Sequence, residues 1–116
     1  MPRHEERLVA ELRRLAASFL TRESDGRSLI TVTHVELLPS GRKAVILISV
    51  LPEQEELRAI AFARRRRNDL THYIREHVRT GHLPELDFAL DLGEKHRQKI
   101  DALVLSDEQK KLDKLR

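Results

Sequence analysis

Four consecutive arginines, Arg64-Arg65-Arg66-Arg67, are the densest chemistry in the sequence. A guanidinium presents a rigid fork of N–H donors that matches phosphate oxygens, so a cluster of them suits charge-assisted binding of a phosphate backbone. Where the run continues as a helix, Arg75 and Arg79 fall on the row that starts at Arg67 and passes Thr71, and His72 and His82 extend the patch. A charge run is most often just a solvated surface. Here seven arginines meet only four acids between Glu55 and Arg79, and that imbalance favours an anionic partner.

The other reactive residue types point to no reaction. Asp87 and Asp91 share the polar side of an alternating segment, as paired catalytic carboxylates would, but alternation by itself turns acids toward water and no second motif converges on them. Among the six histidines, His72 and His77 are five apart and His77 and His82 straddle a helix end, which is not ligand spacing for a metal. His34 and His77 read instead as partly buried residues satisfied by backbone groups. No serine sits in a nucleophile elbow, and the four glycines are scattered singly, so there is no phosphate-cradling loop. Without cysteine there is no disulfide and no thiolate chemistry. The expectation is a protein that is not an enzyme, with no cofactor, no metal and no small-molecule substrate.

These residues must be positioned by one core, since 116 residues with 40% hydrophobic content suffice for a single modest domain. Aromatics are 3%, so the core is aliphatic and stacking of several bases is not available. Leu8, Leu12, Leu15 and Phe19 give one apolar stripe and a first helix, broken at Ser24-Asp25-Gly26. Leu29 to Leu37 is rich in β-branched residues and reads as a strand whose parity changes between Val32 and Val35, which a bulge near His34 explains. Pro39-Ser40-Gly41 turns the chain into a second strand, Ala44 to Leu51, apolar on both faces and therefore interior. Pro52 followed by Glu53, Glu55 and Glu56 starts a second helix, with Leu57, Ile60, Ala61 and Phe62 inward.

Four adjacent arginines cannot share one helical face, because successive residues advance by about 100°. The run therefore marks a kink, and Asn68, which tolerates a left-handed backbone, is the residue expected to make it. Leu70, Tyr73, Ile74, His77 and Val78 form the stripe of a third helix ended by Gly81. Leu86, Phe88 and Leu90 alternate with Asp87, Ala89 and Asp91 as a third strand. Asp91-Leu92-Gly93-Glu94 has capping-box spacing ahead of a fourth helix carrying Ile100, Leu103 and Val104. The expected organisation is a domain over residues 1–105 with a short helical tail, 106–116. The charged N-terminus and short apolar runs exclude a membrane span and suggest a cytoplasmic protein. No dimerisation stripe is evident, so it reads as a monomer.

The order helix, strand, strand, helix, kinked helix, strand, together with Val32-Thr33-His34-Val35-Glu36, the hydrophobic run Ala44 to Leu51 and Leu83-Pro84-Glu85-Leu86-Asp87-Phe88, resembles the bacterial ribosome-binding factor A family over roughly residues 7–104. That resemblance implies an α+β domain of the type II KH-like class without a Gly-x-x-Gly loop. Its three-stranded sheet carries helices on one face, with strand three beside and parallel to strand two. It also implies an assembly factor that binds the immature small (30S) ribosomal subunit during late maturation of 16S rRNA. The family joins its central helices through an Ala-x-Gly kink, where this sequence has Arg66-Arg67-Asn68. Thr71 and Gly81 replace basic residues of the family, and Arg79 keeps one.

The expected RNA-binding set is thus Arg64, Arg65, Arg66, Arg67, Arg75, Arg79 and His82. In it the arginine run takes over the phosphate binding that other family members perform from the positions matching Thr71 and Gly81. Two other readings are a protein-interaction adaptor using an acidic face around Asp87, Asp91 and Glu94, and a small DNA-binding domain using helix three as a recognition helix.

Overall fold

The computed structural model describes residues 2–79 and 81–93. The fourth helix, the tail 106–116 and Glu94 of the suggested acidic face lie outside the described residues. Within them the elements are α1 (Pro2–Glu23), β1 (Leu29–Leu37), β2 (Lys43–Leu51), a 3₁₀ turn at Glu53–Glu55, α2 (Glu56–Arg65), α3 (Arg67–His77) and β3 (Glu85–Leu90).

Helix α1 is amphipathic, and its inner face is Leu12, Leu15, Ala16, Phe19 and Leu20, the i, i+3, i+4, i+7, i+8 pattern of a helix laid on a core. Strand β1 pairs antiparallel with β2, and the register slips between Val32 and His34 so that Thr33 is left over. This bulge is what lets Val32 and Val35, three apart, both face inward. Strand β3 pairs parallel with β2, giving the order β1-β2-β3. As the central strand, β2 buries Ala44, Ile46, Ile48 and Val50 in the main core, while Leu47, 7% exposed, is covered on the opposite face. Leu70 and Ile74 of α3 and Leu86 and Phe88 of β3 complete the same cluster. No helix among the described residues is long and apolar enough to cross a membrane.

Three local expectations are corrected. Helix α2 buries Ala59, Ile60 and Ala63, whereas Leu57 is 79% exposed and Ala61 is also outside. The helix begins only after the 3₁₀ turn, and the two small alanines set its inward face; Leu57 and Ala61 lie about 100° or more from that face. Helix α3 ends at His77 rather than at Gly81, because Val78 is extended (φ −130°, ψ 129°) and half-buried against the core. Gly81 is not among the positive-φ glycines.

The third correction concerns the kink, which is at Arg66 and not at Asn68. Arg66 has φ −97° and ψ 8°, and no non-glycine residue among those described has a positive φ. Its N–H is shared between the carbonyls of Phe62 (3.2 Å) and Ala63 (3.1 Å), while its own carbonyl already accepts the N–H of Leu70 at 2.9 Å. One bridge-region residue therefore closes α2 and opens α3 with little loss of bonding, and no left-handed residue is required. Asn68 is an ordinary exposed residue in the first turn of α3.

Candidate nucleic-acid interface

The hinge disperses the four arginines. Arg64 donates to the carbonyl of Phe88 at 3.1 Å, and its Nε lies 3.6 Å from Asp87 Oδ1. Arg67, on the other side of the hinge, reaches the same oxygen at 3.3 Å. Arg66 points the other way, bonding Glu23 at the end of α1 at 2.8 Å. Its Nε sits 3.3 Å from Asp69, an ion pair without the alignment of a hydrogen bond. Arg65 is exposed and has no ion-pair partner among the described residues. Three of the four therefore act first as internal fasteners: two tie the helices to β3, and one ties the hinge to α1.

Asp87 is the hub of this arrangement. Its side chain, 25% exposed, lies near Lys43 (3.7 Å) as well as the two arginines, and its Oδ1 accepts the N–H of Phe88 at 2.8 Å. Parallel pairing explains the lysine, because Asp87 lies opposite Val45 and Lys43 is two residues earlier on the same face of β2. Burial pushes the carboxyl pKa up, but the Phe88 N–H and the charges of Arg67, Arg64 and Lys43 outweigh it and hold the group below its ordinary value. Asp91 is likewise engaged, accepting the Thr33 hydroxyl at 2.5 Å and the Gly93 N–H at 3.0 Å. These two acids are internal ligands and do not form a free acidic face.

Beside Arg67 the chain leaves an open groove of ≈ 540 Å³ between α3 and the start of β3. The wall on α3 is Arg67, Asn68, Thr71 and Arg75, and the opposite wall is the segment His82 to Leu86 together with Arg42 from the β1–β2 turn. Of these cations, Arg42 and Arg75 have no ion-pair partner among the described residues. The groove thus brings together Arg67, Arg75 and His82 from the expected set. Arg64, Arg65 and Arg66 do not line it, and Arg79, past the helix end, does not either.

Arg42 is not in the set expected from the sequence. The signal for it is Arg42-Lys43 directly after the Gly41 turn, combined with a parallel β3 that starts opposite Lys43.

The histidines expected to be partly buried are both exposed. His34 falls just after the bulge, which turns it outward. His77 stacks on Tyr73 with ring centroids 4.3 Å apart and its Nδ1 lies 2.7 Å from the Tyr73 carbonyl oxygen, so the expected backbone partner is present without the burial. Tyr73 in turn meets Phe19, the Ser18 hydroxyl and Arg22, fastening α3 to α1. No group of metal-binding side chains occurs among the described residues. A more apolar hollow of ≈ 580 Å³ beside Val9, Ala10 and Leu37 contains Arg13 and Arg14 balanced by Glu5 and Glu6.

Helix, two strands, two hinged helices and a parallel third strand, with a basic groove along the second hinged helix, form an α+β domain of the type II KH-like class. Residues 4–104 match the profile of ribosome-binding factor A, and the chain belongs to the ribosome-binding factor A family. It is 32% identical to the ribosome-binding factor A of Thermomicrobium roseum over 108 residues, 90% of this chain and 84% of that protein. The crystal structure of ribosome-binding factor A from Thermus thermophilus superposes with a TM-score of 0.64 at 28% identity, covering 73% of this chain and 92% of that one. A homology model of Thermus thermophilus ribosome-binding factor A, fitted into the cryo-EM map of its complex with 30S, superposes with a TM-score of 0.57 at 29% identity, covering 70% of this chain and 88% of that one.

Proposed function

We propose that this protein is a ribosome assembly factor that binds the immature small ribosomal subunit and assists late maturation of its 16S rRNA. The observation that carries the reading is the groove along α3, where Arg42 and Arg75 extend from opposite walls without ion-pair partners among the described residues. Family membership and the relative fitted into a 30S complex support the same partner. In this reading Arg42 and Arg75 supply the phosphate contacts, Arg67 adds a third cation that Asp87 holds in place, and His82 lines the same groove. The affinity is largely electrostatic and sequence-independent, while the shape of the groove and its walls selects the site on the subunit.

No bond is made or broken in this role, in which the protein acts as a monomeric, non-enzymatic binder in the cytoplasm. The adaptor reading is weakened because Asp87 and Asp91 are engaged internally. Sedimentation through a density gradient tests the proposal: the protein is expected to migrate with free small subunits at low salt and to leave them as salt rises. A protein that stays at the top of the gradient at low salt would sink it.

A further inference from the structure

Arg65, the one arginine of the run without an ion-pair partner among the described residues, does not face the groove. With Arg58 and Phe62 it forms a stripe along α2, continued by Glu55 of the preceding 3₁₀ turn, which borders a cleft of ≈ 280 Å³ whose other side is the connection between α1 and β1. Ala59, Phe62 and Ile30 are buried or half-buried and form the floor. Arg58, Arg65 and Arg27 form the rim, with Ser24 and Ser28 beside them. The connection is held by its own polar groups: the Arg27 N–H donates to Asp25 at 3.0 Å and the Gly26 N–H to Ser24 Oγ at 3.3 Å.

Two acids enter the cleft, but loosely. Asp25 lies 3.5 Å from Arg27, and Glu55 lies 3.9 Å from Arg58, with both arginine side chains more than half exposed. Exposed pairs of this kind contribute at most about 1 kcal/mol, so an arriving phosphate can displace them at little cost. Among the described residues Arg65 has no such partner to give up. Three arginines, two hydroxyls and an apolar floor are a recognition surface for a sugar-phosphate backbone lying across the cleft.

The cleft and the groove are separate sites. Ile30 pairs with Val50 at one end of β2, whereas the groove opens beside Lys43 at the other. At about 3.3 Å per residue that is roughly 23 Å along the strand, and the two sites lie toward opposite edges of the sheet. We propose that the α2 cleft is a second phosphate-binding site, taking a different stretch of rRNA backbone from the groove, so that the domain is held between two RNA segments. This rests on the ribosomal reading above.

The test is a salt titration of binding to purified small subunits by four proteins: wild type, Arg58→Gln/Arg65→Gln, Arg42→Gln/Arg75→Gln and the quadruple variant. Each double variant is expected to bind about 10-fold more weakly and to lower the slope of log affinity against log salt by roughly 1.5, since each phosphate contact removed takes away about 0.7 to 0.9. The quadruple variant should lose the sum, because distant sites add. Asp25→Asn, which keeps a turn-forming oxygen but removes a competing charge, should tighten binding.

Thermal unfolding of the cleft variants should match wild type, and Arg58→Lys/Arg65→Lys should retain most of the salt slope. Wild-type affinity and slope for Arg58→Gln/Arg65→Gln, with a clear loss for Arg42→Gln/Arg75→Gln, overturns the second site and leaves the groove standing. A loss that comes with a lower unfolding midpoint and is not restored by lysine also overturns it. If neither double variant weakens binding, the ribosomal reading itself fails.

Discussion

The hinge and the groove wall are built from the same residue type and use it in opposite ways. At the hinge, Arg64, Arg66 and Arg67 meet Asp87, Glu23 and Asp69, so all three are held by ion pairs inside the molecule, although Arg67 also lines the groove. About two turns further along α3, Arg75 forms no ion pair among the described residues, and Arg42 faces it from the opposite wall. What separates the two regions is the placement of carboxylates. Strand β3 and the end of α1 put acids within reach of the hinge, whereas Glu85, on the groove wall, pairs with neither arginine. A run of arginines is thus a poor guide to which arginine is available, and the neighbours decide.

The strongest way to break this comparison is to remove the core beneath the hinge. Phe88 is fully buried, neighbours Asp87 and gives its carbonyl to Arg64. Phe88→Ala is expected to cost about 3–5 kcal/mol, the usual range for a buried aromatic, read as a lowered denaturant midpoint. Both the clasp and the groove wall should then be lost together. A mild effect would mean that the arginine clasp, and not the packing, holds β3 in place.

Next in size is the contrast between the two arginine sets. Arg75→Gln should leave the unfolding midpoint unchanged while lowering the salt slope of subunit binding by about 1, the signature of one phosphate contact. Arg66→Gln should do the reverse: it leaves Glu23 with only the distant Arg22 at 4.0 Å, removes the cation beside Asp69 and costs about 1 kcal/mol of stability, with the slope unchanged. If Arg66→Gln flattens the salt dependence as much as Arg75→Gln does, the division between fastener and ligand is wrong.

Asp87→Asn separates the roles within the clasp and carries a pH signature. The folded carboxyl pKa is lowered, so its contribution is present above the pKa of an unfolded aspartate and is lost as the pH falls through the lower folded value. At neutral pH the variant should be less stable by about 1 kcal/mol, a modest figure because the arginines are half-exposed. The gap should close as the pH is lowered past the ordinary aspartate range. Unfolding midpoints of wild type and variant across that range check it, and a gap independent of pH would show that shape, not charge, holds the clasp.

The elements were readable in the sequence because they follow from periodicity: the α1 stripe, the parity change that became the Thr33 bulge, and the two-faced β2 all need only local pattern. The inward face of α2 was misread because two alanines, weak in a hydrophobic pattern, outrank Leu57 when a helix must approach a sheet closely. The candidate site was legible only in part. Arg67, Arg75 and His82, expected from the sequence, line the groove, but Arg42 comes from a turn distant in sequence and joins it only through the parallel pairing of β2 with β3. Pairing partners such as Glu23 for Arg66, 43 residues apart, leave no trace in local spacing.

The smallest predicted effect tests the hinge itself. Were the kink made by a left-handed Asn68, replacing it with alanine would strain the backbone by about 1–2 kcal/mol, because a Cβ-bearing residue without a local side-chain hydrogen bond fits that region poorly. In the structure Asn68 is helical and exposed, and the kink is carried by Arg66 at φ −97°. Asn68→Ala should therefore be neutral or stabilising by a few tenths of a kcal/mol, since alanine is the better helix former. Because Asn68 lines the groove without a charge, the salt slope of subunit binding should not move. A loss of stability beyond about 1 kcal/mol would return the hinge to Asn68 and with it the expectation that a family position must be matched residue for residue, rather than by any residue that can adopt a bridge-region backbone.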